Sequence, residues 1–138
     1  MSDKSADSDE STTSIRWEKD VAPHDYEAAE AYLSLRFDED RAEKLVKRLR
    51  AAEITQRRAN DVLRACGREP LELDDPGVRR DLITIARGQK LSPVLVVYEK
   101  DGGPDIADGY HRVSLAYRLD PFAMIPLRIA ASDIRKEK

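Results

Sequence analysis

Apolar positions recur at helical spacing along the first ninety residues, and after Pro93 they come in short unbroken blocks. HDYEAAEAYLSLRF predicts a first helix that Asp25 can cap, with Ala28, Ala29, Tyr32, Leu33 and Leu35 as its apolar stripe. DEDRAEKLVKRLRA predicts a second. Acids fill its first turn and bases its last, and Ala42, Leu45, Val46 and Leu49 form the buried face. TQRRANDVLRACG predicts a third, with Thr55 as N-cap, Ala59, Val62, Leu63 and Cys66 on one face, and Gly67 at the C-terminal cap. REPLELDDPG interrupts the pattern. A fourth helix then runs from Pro76, capped by Asp75, through Val78, Leu82 and Ile85 to Gly88. VLVVYE (Val94 to Glu99) is β-branched and too short for a typical helix, so it predicts a buried strand. KDGGPD is a turn cluster and IAD a short strand. Val113, Leu115, Ala116 and Leu119 mark a helix, and IPLRIA (Ile125 to Ala130) a closing strand. The pattern therefore predicts an α/β (α+β) fold: residues 15–90 mainly helical, residues 91–132 a strand–helix–strand core.

Composition adds bounds to this picture. At 138 residues, with 41% hydrophobic and 37% charged side chains, the chain has the size of one domain, spanning 15–138. The formal net charge of -3 is matched by Met1 to Ser14 alone, where one lysine stands against Asp3, Asp7, Asp9 and Glu10. That segment, rich in Ser, Thr and Asp, predicts a disordered acidic tail over 1–14. So small a net charge gives no global field toward nucleic acid. Cys66 is the single cysteine, which precludes an internal disulfide and suits a reducing compartment. Two histidines and one cysteine, far apart, lack zinc-site spacing, and neither zinc nor haem is expected. No apolar run approaches the ~20 residues of a membrane helix, and the polar, acidic start is unlike a signal peptide. The expectation is a cytoplasmic protein with no membrane partner.

The candidate chemistry lies in IADGYHRVSLAYRL (Ile106 to Leu119), where a strand turns into a helix. Gly109 permits a tight turn and close approach by a ligand. The first N–H groups of the helix lack intrahelical partners and carry partial positive charge, which suits an anion. Arg112 adds a guanidinium fork for phosphate, and His111 a donor that titrates near neutrality. Asp108 is out of place in an anion site unless it holds Mg2+ beside a phosphate or takes a proton from a hydroxyl. The structural alternative carries about equal weight. In it Asp108 is an N-cap, Arg112 pairs with Asp108 or with an acid such as Glu99, and Tyr110 covers the core.

LSPVLVVYEKDGGPDIADGYHRVSLAYRLDPFAMIPLRIA resembles the core of the ParB/sulfiredoxin superfamily, and with ANDVLRACG a bacterial group of ParB-like proteins. The resemblance implies a small mixed sheet with helices, here preceded by a helical half, and a helix start that grips the phosphates of ATP, ADP or CTP. Gly109, His111 and Arg112 match the GCHR phosphate grip of sulfiredoxins, with Tyr110 beside them. Asp108 and Gly109 match the DGHxR pattern of free-serine kinases, in which the acid takes part in phosphoryl transfer. Tyr110 replaces the sulfiredoxin cysteine, so sulfinic acid reduction cannot follow that route. It also replaces the acid of the GERR form, which argues against a ParB-style CTP switch. The resemblance thus implies nucleotide binding by Gly109, Tyr110, His111 and Arg112. Asp108 and His111 would be catalytic residues for phosphoryl transfer or hydrolysis, with Mg2+ on Asp108. Whether the chain is an enzyme at all stays open. Gly102 and Gly103 could let the preceding turn move over the ligand.

A second reading is a non-enzymatic DNA-binding or regulatory module. Nine bases stand against three acids from Arg41 to Arg68, and the helices predicted over 38–66 could form a helix-turn-helix with Arg57, Arg58 and Arg64 on phosphates. The core would then be a scaffold or a homodimer surface. Solvated helix faces are the more economical explanation. No aromatic residue is interleaved for base stacking, and no glycine marks the turn.

Overall fold

A computed structural model describes residues 14–99 and 102–132. The expected acidic tail and the Lys100–Asp101 part of the turn cluster lie outside the described residues. The elements are α1 (Pro23–Arg36), α2 (Glu39–Ala51), β1 (Ile54–Arg58), α3 (Ala59–Ala65), α4 (Pro76–Ala86), β2 (Val94–Glu99), β3 (Gly103–Asp108), α5 (Tyr110–Leu119) and β4 (Met124–Ala131). The four strands form one mixed sheet in the order β1-β4-β2-β3. β4 is antiparallel to β1 and parallel to β2, and β2 is antiparallel to β3. The α+β class read from the sequence is the class observed.

The apolar block of β2 is buried on both faces because helices cover both. Leu95 and Val97 pack toward α1 and α2, with Ala29, Leu33, Leu45 and Leu49. Val94 and Val96 pack toward α3 and α5, with Val62, Val113, Ile125 and Leu127. Each such side chain contributes roughly 1.5–3 kcal/mol by leaving water, so this strand fixes the two layers together. Pro126 is tolerated within the inner strand β4 because pairing with β2 begins one residue later, at Leu127.

The second and fourth helices form as their patterns require. Asp38 caps α2 by accepting from Arg41 N–H, and Asp75 caps α4 by accepting from Gly77 and Val78 N–H. Gly67 takes the left-handed conformation expected just past α3, at φ 65°. Four readings fail. Gly103 to Asp105, read as part of the turn cluster, belong to strand β3. Asp25 is not the cap of α1, since Ala22 occupies that position and the Asp25 side chain is buried. Ala28 and Leu35 are not on the buried stripe: both are exposed, Leu35 to 87%, and Tyr26 joins Ala29 and Leu33 in the core. The third helix does not begin at Thr55. Residues 54–58 are strand β1, paired to β4 from Ile54↔Arg128 to Arg58↔Met124. ITQRR has no apolar face to pack as a helix, and β4 offers it a ladder of backbone partners. The proposed helix-turn-helix is therefore absent, because a strand separates α2 from α3.

The segment between α3 and α4 has no regular structure over residues 68–72. One face of α5 supplies its hydrogen bonds. Tyr110 Oη donates to the Glu69 carbonyl, Ser114 Oγ accepts from Leu71 N–H at 2.9 Å, and Arg118 donates to the Leu71 and Pro70 carbonyls. These three residues are four apart, so they lie one above another on the helix. Tyr110 thereby has a structural task that its place in the motif did not reveal.

Candidate functional site

β3 ends at Asp108, and α5 begins at Tyr110. Gly109 joins them with φ 111°, a conformation that L side chains rarely adopt. A Cβ there would stand 3.0 Å from Val94 Cγ2 and 3.1 Å from Arg112 Nη2. Gly109→Ala is therefore expected to lower stability by about 2–3 kcal/mol, read as a lower urea midpoint with an unchanged slope. A midpoint equal to the parent's would show that the turn is not constrained.

Arg112 lies at the centre of the corner with its side chain only 12% exposed. Nη1 donates to Asp25 Oδ2 at 2.8 Å and to the Ser92 carbonyl at 3.0 Å, and Nη2 donates to Asp108 Oδ2 at 2.7 Å. One guanidinium thus ties α1, the entry to β2 and the end of β3 to the first turn of α5. Of the two acids read as its partners, Asp108 is one. Glu99 instead pairs with Arg36 at 3.4 Å. Asp108 is not an N-cap either, as no side chain caps α5. Burial pushes the Asp108 carboxyl above the usual carboxylate range, against the pull of Arg112.

Two acids that the sequence reading did not place here face the same corner. Asp25 comes from α1 and is 6% exposed. Asp81 comes from α4, where it interrupts the stripe of Val78, Leu82 and Ile85. Burial raises its pKa too, and the charges of Arg112, His111 and Asp25 all act on it. An acid on the edge of an apolar helix stripe was the available signal. His111 is half exposed, with Nε2 3.5 Å from Asp75 Oδ2. Its ring lies against Gly77 so closely that a Cβ has no room. The first turns of α4 and α5 therefore meet at His111, and their positive ends share the space with Asp25, Asp75, Asp81 and Asp108.

The structure brings Asp108, Gly109, Tyr110, His111 and Arg112 together at one helix start, with Tyr110 turned toward residues 68–72. Gly102 and Gly103 lie at the far end of β3 from Asp108, roughly 16 Å along the strand, so their turn does not cover the corner. Arg57 and Arg58 lie on β1 and Arg64 on α3. Arg57 bonds the Thr55 hydroxyl and the Gln56 carbonyl, and Arg64 pairs with Asp61 at 3.5 Å. Burial pushes the Cys66 thiol up to about 11, which keeps it protonated and poorly nucleophilic at neutral pH. Among the described residues, no three His, Cys, Asp or Glu side chains are grouped so as to hold a metal ion, and no helix is long and apolar enough to cross a membrane.

A second cluster ties α1 to the outer strand. Asp105, 7% exposed on β3, accepts from Tyr32 Oη at 2.6 Å and from Arg36, with Arg68 Nη2 at 3.5 Å. The Arg68 guanidinium also stacks over the Tyr110 ring, 4.9 Å from its centroid.

The fold and this corner define a mixed α/β domain with an ionisable cluster at a strand-to-helix junction. The chain matches no family model, no curated protein and no solved structure.

Proposed function

We propose that the Asp108–Arg112 corner binds a phosphorylated ligand, a nucleotide such as ATP, ADP or CTP, as its Mg2+ complex. The observation that carries this reading is the pair of carboxylates, Asp25 and Asp108, held on one guanidinium at the start of α5. A bare phosphate would meet the repulsion of Asp25, Asp81 and Asp108. A divalent cation removes that repulsion and bridges to phosphate oxygens, and Mg2+ commonly needs only one or two protein carboxylates besides phosphate. Burial, and after it the charge of Asp25, raises the affinity of Asp108 for a proton, and a bound cation would offset the second of these. The first amides of α5 then face the phosphate, and His111, half exposed beside Asp75, adds a donor at the same helix start. Arg112 acts as a positioning residue that aims Asp25 and Asp108, rather than as the grip itself. Phosphoryl transfer or hydrolysis would use Asp108 to hold the cation or take a proton, with His111 as donor.

The test is a thermal-shift series with ATP, ADP and CTP, each with and without Mg2+. A ligand bound only by the native state raises its melting temperature. The expected result is a rise that requires Mg2+ and is lost in Asp108→Asn, whose amide still accepts from Arg112. A rise independent of Mg2+, or equal in the variant, rejects Asp108 as the cation ligand.

A further inference from the structure

We propose that the cavity at the opposite end of α5 from the corner binds a small organic cation with an apolar body, of the arylalkylammonium class. The cavity measures about 500 Å³, within the range of small-molecule sites. Its walls include Ile15, Trp17, Leu119, Met124 and Ile125. Leu119 and Met124 are 36% and 52% exposed, so apolar surface is left open to water here.

The charge of the cavity decides the ligand. α5 ends at Leu119, so the negative end of its dipole lies at this wall. Asp120, the C-cap residue, also lines it, and its Oδ1 accepts from Phe122 N–H at 3.0 Å, which fixes the carboxylate. Among the described residues that line it there is no lysine, arginine or histidine. Arg118, the basic residue of the last turn, is drawn away to the Pro70 and Leu71 carbonyls and to Glu72 at 3.1 Å. Among the described residues, neither the helix end nor Asp120 therefore meets a basic side chain in the cavity. Trp17 adds an aromatic wall, the best side-chain partner for a cation. An apolar body flanked by indole, with its ammonium at Asp120, satisfies both halves of the site.

Trp17 is the single tryptophan, so its fluorescence reports on the cavity directly. The full chain is titrated with 2-phenylethylammonium, 2-phenylethanol and 3-phenylpropionate. Saturable binding of the ammonium is expected, with the alcohol at least roughly tenfold weaker and the carboxylate weaker still. Asp120→Asn keeps the acceptor for Phe122 and should cost roughly threefold to tenfold in ammonium affinity, with the melt confirming the fold. Equal affinity for all three probes, or no loss in Asp120→Asn, would identify a merely apolar surface and overturn the assignment. So would the absence of ammonium binding up to about 10 mM. If the variant does not fold, the order of the three probes on the parent chain decides the matter.

Discussion

Arg112→Ala is expected to destabilise the protein by about 3–5 kcal/mol, the cost of leaving buried carboxylates without their cation. Asp25 and Asp108 both lose their guanidinium, and the Ser92 carbonyl loses a donor. In a domain of this size the melting temperature should fall by about 10–20 °C. The loss should shrink as pH is lowered. Burial already places the Asp108 carboxyl above its unfolded value of about 3.9. Its contribution to stability is therefore fully present below that unfolded value and lost as pH rises through the folded one. Removing Arg112 deepens that loss, so the deficit should be larger at pH 7.5 than at pH 4.5. Arg112→Lys should recover only part, since an ammonium cannot fork between two carboxylates. A small, pH-independent change in Arg112→Ala would show that the cross-link adds nothing to the fold.

Asp105→Ala is expected to cost about 2–4 kcal/mol. Three donors from two parts of the chain converge on this carboxylate: the Tyr32 hydroxyl on α1, Arg36 at the end of the same helix, and Arg68 after α3. Without it two arginines face each other around a partly buried hydroxyl, and the outer strand β3 loses its polar tie to α1. Asp105→Asn keeps an acceptor but not the charge and should fall between. Tyr32→Phe removes one hydrogen bond and should cost about 1 kcal/mol. Chemical denaturation checks the order Ala, Asn, Phe. An Ala variant within about 0.5 kcal/mol of the parent would mean that the cluster is ornamental to stability.

Where one residue type sufficed to decide the local structure, the sequence was readable. VLVV specified a strand covered on both faces, Asp75 capped its helix, and Gly109 marked the turn from strand to helix. Strand β1 was not readable, because ITQRR is an edge strand whose stability comes from the ladder with β4, some seventy residues away. The corner was half legible. Asp108 to Arg112 are consecutive and stood out, but Asp25 and Asp81 reach the same point from α1 and α4. Only the packing of those helices brings them to Arg112. The role of Arg112 changed for that reason. Seen alone it is a free guanidinium suited to phosphate, and with Asp25 in place it is a buried cross-link. Tyr110 changed likewise, since the backbone that it and Arg118 hold at residues 69–71 has no signature of its own.

The most direct measurement is a two-dimensional amide NMR titration of the full chain with ATP, ADP and CTP, run with and without Mg2+. Binding at the corner predicts Mg2+-dependent shifts confined to the amides of Asp108 to Val113 and to residues around Asp25, Gly77 and Asp81. Shifts centred instead on Arg57, Arg58 and Arg64, or no shifts at millimolar nucleotide with Mg2+, would contradict it.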